Sequence, residues 1–204
     1  MAFIDNLAYS LFALSFAGFL LLYTISSMYL VYRKKKKNFS EYLNSASIPI
    51  ALLGAYILIS GFWGQFAWPL PGSYNILFYD PFISFGIVLL SLAFSIRYNV
   101  RLEYTGFLGL MVGVMVLAYG FVGYNIGLTQ APIALLGLYF LYGLAGIFSY
   151  PVALIADRLP GLQKNAWIGW NALLVIFWLL LLGASILAGF VGVSAVPQHL
   201  LTPP

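Results

Sequence analysis

Six long runs of apolar residues constrain this chain more than any other feature of its sequence. Each run is close to the roughly 20 residues that an α-helix needs to cross the hydrocarbon of a bilayer. The chain is 63% hydrophobic and only 7% charged, which excludes a water-soluble fold of this length. We therefore predict a single all-α domain over residues 1–204, a polytopic membrane bundle with six transmembrane helices at about 7–32, 48–68, 81–96, 104–122, 132–156 and 166–191.

The basic residues predict how this bundle is oriented. All nine lysines and arginines follow the first, third or fifth apolar run, in the segments 33–37, Arg97 with Arg101, and Arg158 with Lys164. The positive-inside rule places these loops in the cytoplasm and both termini outside, in a multi-pass protein of the cell membrane. The first run lacks the basic start of a signal peptide, so we interpret it as a retained helix.

The same tetrapeptide, G-F-x-G, recurs at the predicted outer ends of the second, fourth and sixth helices. Its copies begin at Gly61, Gly120 and Gly189. Matched positions of this kind indicate an internal repeat of three parallel helical hairpins about a pseudo-threefold axis near the membrane normal. The alternative is chance, because 20 glycines and 17 phenylalanines are present and glycine is common in membrane helices.

Few residues of this sequence could carry out chemistry. There is no cysteine, and the single histidine is His199, so we expect no metal site and no haem or other cofactor. The acidic residues lie near predicted helix ends, so we do not expect the buried charge that proton pumps need. Asp80 is the one carboxylate that leaves proton-driven transport open. Since the cations belong to the loops that set orientation, we expect the lipid bilayer, and no nucleic acid, as a partner.

The segment 61–81, GFWGQFAWPLPGSYNILFYDP, combines aromatic side chains with two amides. Aromatic residues at a membrane interface ordinarily form an anchoring belt, and Asp80 before Pro81 is typical of a helix N-cap. Neither explains the amides, which need partners near hydrocarbon. We predict an outer-face ligand pocket, with structural bonding between loops as the alternative, formed by Gln65, Trp68, Tyr74, Asn75, Tyr79, Asp80, Tyr124 and Asn125.

Small residues recur at helix-packing spacing along several runs. Glycines three or four positions apart let two membrane helices approach closely, although they could instead line a narrow conduit. An asparagine near the start of the sixth run is interpreted as a hydrogen-bonding contact to another helix. The predicted packing residues are Gly61, Gly64, Gly106, Gly109, Gly113, Gly120, Gly123, Gly143, Gly146 and Asn171.

The stretch W-P-L-P-G-S-Y-N, residues 68–75, with the G-F-W-G before it, resembles an uncharacterised family of multi-spanning proteins found in archaea and some bacteria. It is similar to a domain-of-unknown-function family, and the similarity covers most of the chain from the second helix on. The resemblance implies a membrane location and an outer loop that matters. It implies no activity, substrate or cofactor.

Three functions remain open from the residues. The first is a non-catalytic subunit or scaffold of a larger membrane complex, packed on other membrane subunits or on copies of itself, because no nucleophile, metal ligand or buried charge is expected. The second is a channel or facilitator for a small neutral molecule. The weakest is a membrane enzyme acting on a lipid or quinone, for which Tyr74, Asp80 and His199 are the acid-base groups to consider.

Overall fold

The computed structural model describes residues 6–33, 39–129, 131–158 and 168–201. The side chains that it describes belong to residues 7–31, 43–129, 131–158, 171–197 and 201. Within these ranges the helices are joined by short turns and connections, and there is no strand. Segments 34–37 and 159–167, which carry five of the predicted cytoplasmic cations, lie outside the described residues, as do Asp5 and the side chain of His199.

Six helices make up the described chain, and all six are long and apolar enough to cross a membrane. The predicted count of spans and the all-α class are therefore confirmed. The helices are α1 (Asn6–Arg33), α2 (Phe39–Ala67), α3 (Ser73–Arg97), α4 (Glu103–Asn125), α5 (Pro132–Arg158) and α6 (Ile168–Leu201).

Two helices extend well past the apolar runs that predicted them. Helix α2 begins at Phe39, where we predicted residue 48, and α6 ends at Leu201, where we predicted residue 191, with Pro197 inside it. The reason is that hydropathy marks the end of an apolar run, whereas backbone hydrogen bonding continues into polar residues outside the hydrocarbon.

The start of α3 corrects a specific prediction. We predicted that Asp80 caps a helix beginning at Pro81, but α3 begins at Ser73 and contains both residues. A proline within a helix leaves the carbonyl four residues earlier without its usual donor. That carbonyl belongs to Leu77, and the Tyr139 hydroxyl of α5 donates to it at 2.6 Å. A neighbouring helix thus supplies the missing donor, which is how prolines are tolerated in membrane helices.

The helices form a closed ring. Each packs on its neighbours in the chain, and α6 returns to α1. Packing is most extensive within three pairs, α2 with α3, α4 with α5, and α6 with α1. Short connections make neighbouring helices antiparallel, so the ring has two distinct ends.

Glycines mediate the closest of these contacts. A Cβ atom built on Gly146 of α5 would lie 2.7 Å from the Cα of Gly113 on α4, so neither helix has room for a side chain there. Gly106 and Gly109 likewise face α5, and Gly143 faces α4. Close backbone approach increases the dispersion contacts that hold membrane helices together in the absence of a hydrophobic driving force.

The three G-F-x-G copies occupy comparable positions in the ring. Gly61 and Gly64 at the end of α2 face Ile83 and Tyr79 of α3. Gly120 on α4 faces Tyr139 of α5, and Gly123 faces Leu77 and Leu135. Gly189 and Gly192 on α6 face α1. Each copy therefore contacts the next helix around the ring, while the threefold repeat itself stays a prediction.

Candidate functional site

Two ends of the ring are distinguished by their polar residues. We call the end where α2 and α4 end and α3 and α5 begin the amide end, because it carries Gln65 and Asn75. The opposite end, which carries Arg97, Arg101 and Arg158, is the basic end. The predicted pocket residues lie at the amide end.

A carboxylate with two neutral donors joins three helices at the amide end. Gln65 of α2 donates its amide N–H to Oδ1 of Asp80, and Tyr119 of α4 donates its hydroxyl to Oδ2 at 2.7 Å. Both oxygens of the carboxyl group therefore act as hydrogen-bond acceptors. Among the described side chains, no cation pairs with it.

Asp80 lies inside the third span, although we had predicted it at the boundary. It is about two helical turns from the start of α3. It shares a helix face with Ile76 and Ile87, which are 42% and 44% exposed, because residues four and seven apart lie on one side of a helix. Asp80 is itself half-buried. The carboxyl group therefore lies on the exposed outer side of α3 and not in the cavity wall.

Asn75 has a different role at the same end. Its side chain is fully buried, donates to the Gly64 carbonyl at 3.2 Å and accepts from the Leu70 N–H at 3.2 Å. It therefore holds the end of α2 and the connection to α3 together. Trp68 in that connection is exposed and has φ of 49°, in the left-handed region, which a non-glycine residue seldom adopts.

The other predicted pocket residues differ in how deeply they are buried, so they do not form one surface. Tyr79 packs against Gly64 and is 1% exposed, and its hydroxyl has no hydrogen-bond partner among the described residues. Tyr74 is half-buried, whereas Tyr124 and Asn125 are exposed at the end of α4. Within the described part of the chain, no hydrogen bond joins those two residues to Gln65 or Asn75. Asn171, predicted to bond another helix, is also exposed.

Tyr119 completes the carboxylate site and was not among the predicted pocket residues. Its signal in the sequence is weak, because tyrosine is one of the commonest residues of this chain, with 15 copies. Tyr119 could have been identified as a donor to Asp80 only if the packing of α3 against α4 had been known beforehand.

A central cavity lies inside the ring, and its wall includes Gly106, Gly109 and Gly113, for which we considered a narrow conduit as the alternative to helix packing. It has a volume of about 200 Å³ and is partly open. One face of each of α3, α4 and α5 lines it over several turns, and α1 and α6 supply most of the remaining wall. It lies where two separate clusters of buried apolar residues meet, so the six helices leave their common axis incompletely filled.

The polar groups in the cavity wall all have partners in the protein. Tyr139 and Tyr142 of α5 donate across the ring to the carbonyls of Leu77 and Leu14. Thr24 donates to Leu20, Ser149 to two glycine carbonyls, and Thr105 bonds the hydroxyls of Ser91 and Ser95. The cavity surface is consequently apolar in character.

The basic end contains a second paired carboxylate. Asp157 of α5 accepts from the backbone N–H groups of Leu102 and Glu103, at 2.9 and 3.0 Å. These donors begin α4, where no intrahelical acceptor exists and where the helix dipole favours negative charge. Arg101 also pairs with Glu103 at 3.7 Å. The Asp157 carboxyl group therefore has backbone partners for both of its oxygens.

Comparison with known families identifies the chain. The family model described as "Protein of unknown function (DUF981)" matches residues 1–202. The chain belongs to this family. No curated protein and no solved structure matches it.

Membership confirms the resemblance to an uncharacterised family and extends it over nearly the whole chain. It transfers no activity or ligand. For this DUF981 member, the candidate sites are therefore those that its own geometry defines, the Asp80 carboxylate and the central cavity.

Proposed function

We propose that this protein is a non-catalytic subunit of a larger membrane assembly, and that it binds a partner through the lipid-facing side of α2, α3 and α4. The observation that carries the proposal is Asp80, a carboxyl group within a span that has two neutral donors and, among the described side chains, no cation beside it. Charged groups within a membrane are costly and usually pair with another group, which makes them sites of function.

The described part of the chain places no lysine or arginine near Asp80. Helix α3 has its nearest arginine at Arg97, about 26 Å along the helix from Asp80. All other lysines and arginines follow the first, third or fifth apolar run in the sequence. A second copy in the same orientation would carry its cations at the basic end too. We therefore infer a different polypeptide, with a lysine or arginine near the end of a membrane helix.

The surroundings of Asp80 suit such a helix. Phe62 and Phe66 of α2 flank Gln65, are exposed, and stack with ring centroids 6.4 Å apart. Phe121 and Val122 of α4 are exposed near the same end. An apolar surface around one desolvated charge favours a partner whose own charge is complementary, because mispaired partners leave a charge unpaired.

Affinity purification from native membranes in mild detergent tests this proposal. The Asp80→Asn variant should lose at least 90% of the co-purifying subunit, whereas Tyr119→Phe, which keeps the charge, should retain most of it. Recovery of the wild type as a monodisperse particle of this polypeptide alone would overturn the proposal. Equal recovery of the partner with Asp80→Asn would overturn the role of Asp80.

We also propose that the basic end faces the cytoplasm, with both termini outside the cell membrane. The segregation of all nine lysines and arginines supports this orientation. A membrane-impermeant amine reagent applied to sealed cells should leave residues 34–37 unlabelled and label them after lysis. Labelling in intact cells would contradict the orientation.

A facilitator for a small neutral molecule is the second candidate, favoured by the partly open cavity within the ring. The two tyrosines that cross the ring make a continuous aqueous path less favourable than binding. Liposome flux assays with the wild type, Gln65→Ala and Asn75→Ala would test it. Flux no greater than in empty vesicles would remove this candidate.

A further inference from the structure

We propose that the central cavity holds one hydrocarbon chain of an anionic membrane lipid, with the lipid phosphate at the basic end beside Arg97 and Arg101. On α3 the cavity wall extends from Phe78 to Ile96, a length of about 27 Å along the helix. The volume of about 200 Å³ is small for that length. The cavity is therefore narrow for its length, a shape that suits one extended chain better than a compact ligand.

The chemistry of the wall selects hydrocarbon over water. A buried water needs two to four polar partners, and an apolar cavity of about 150 Å³ in another protein stays dry and binds benzene. Here the hydroxyls that reach the wall are already engaged within the protein, including Tyr139, Tyr142 and Ser149. A polar solute would lose its hydration without gaining hydrogen bonds.

The two ends of the cavity differ, which orients the chain. Near the amide end, the Tyr139 and Tyr142 hydroxyls bridge α5 to α3 and α1 across the ring. Towards the basic end the wall continues to Ile96 and Leu102, and the hydrogen bonds of Thr105 and Ser149 in that half join neighbouring helices, not helices on opposite sides of the ring. The methyl end of the chain therefore points to the tyrosines, and the headgroup remains at the basic end.

Two arginines lie at that end of the ring. Arg97 follows Ile96 at the end of α3, and Arg101 precedes Leu102 in the connection to α4, so each arginine is next in sequence to a cavity-lining residue. Arg97 is exposed, and the Arg101 side chain is 77% exposed. Arginine binds phosphate oxygens by charge-assisted hydrogen bonds, and basic clusters at membrane surfaces recognise anionic lipids.

A pair of matched variants on α4 tests occupation of the cavity. Val112 lines the cavity, whereas Val114 on the same helix is 54% exposed. We would reconstitute each protein into vesicles of phosphatidylglycerol and phosphatidylcholine, extract it into detergent, and count retained lipids by native mass spectrometry. The wild type and Val114→Phe should each keep one phosphatidylglycerol, and Val112→Phe should reduce its occupancy at least tenfold. Equal retention by Val112→Phe and Val114→Phe would overturn the proposal.

Measurements on the wild type and on an arginine variant test the proposal even if the Val112→Phe variant does not fold. In the wild type, n-decane should displace the lipid and inorganic phosphate should not, because the chain carries the binding. Arg97→Gln with Arg101→Gln should reduce the preference for phosphatidylglycerol over phosphatidylcholine at least fivefold while one lipid remains bound. Release by phosphate, with no effect of decane, would mean headgroup binding alone and would overturn the cavity site.

Discussion

The two ends of the ring each contain an aspartate, and the two aspartates accept hydrogen bonds from different kinds of donor. At the basic end, Asp157 accepts from the first backbone N–H groups of α4, where a helix supplies partial positive charge. At the amide end, Asp80 accepts from the neutral side chains of Gln65 and Tyr119. The first carboxylate satisfies groups that the fold would otherwise leave unpaired. The second lies within a span and pairs only with neutral side chains among the described residues, which is why we propose a function for it.

Substitution of Asp157 should have the largest effect on stability. Asp157→Ala leaves the Leu102 and Glu103 N–H groups without their acceptor, and loss of a helix cap costs about 2 kcal/mol at the upper end of the usual range. Thermal unfolding in mild detergent measures the change. Asp157→Asn, which keeps one acceptor oxygen, should cost less than half as much. An unaltered melting temperature for Asp157→Ala would contradict a structural role.

Removal of the Tyr139 hydroxyl should have the second largest effect on stability. Tyr139→Phe leaves the Leu77 carbonyl without a donor, because Pro81 has no N–H to offer it, and a buried unsatisfied group costs about 1–2 kcal/mol. Adding Pro81→Ala restores a backbone N–H, so the double variant should recover much of the loss.

A double-mutant cycle measures this coupling directly. If the costs of Tyr139→Phe and Pro81→Ala prove simply additive, the explanation for the proline inside α3 is wrong.

The variants at the Asp80 site should have the smallest effects on stability. Interhelical hydrogen bonds in membranes average about 0.6 kcal/mol, so Tyr119→Phe should cost roughly that amount. Asp80→Asn in the isolated protein should change stability by less, since removal of a charge from the span offsets the lost bonds. Unfolding of the purified chain by sodium dodecyl sulfate measures both. A loss above about 2 kcal/mol for Asp80→Asn would make Asp80 structural, like Asp157.

Within the candidate site, the residues were easier to predict than their arrangement. The amides and Asp80 stand out because polar side chains near hydrocarbon need partners, and the structure pairs Gln65 with Asp80. Their partners could not be predicted, because helix rotation and register depend on how α2, α3 and α4 pack. Asn75 therefore bonds the α2–α3 connection, and Tyr119 takes the place that we expected for Tyr124 and Asn125.

The sequence by itself determined the number of spans and the all-α class, because the length and apolarity of each run are local properties and are enough to decide whether a helix can cross the bilayer. It could not determine where helices end beyond the apolar runs, as at Phe39 and Ser73. Only the tertiary structure decided that Pro81 lies within a helix, since Tyr139 of another helix supplies the missing donor. The same holds for the cavity, because an unfilled space along the axis of a ring is a property of six helices together and of none of them alone.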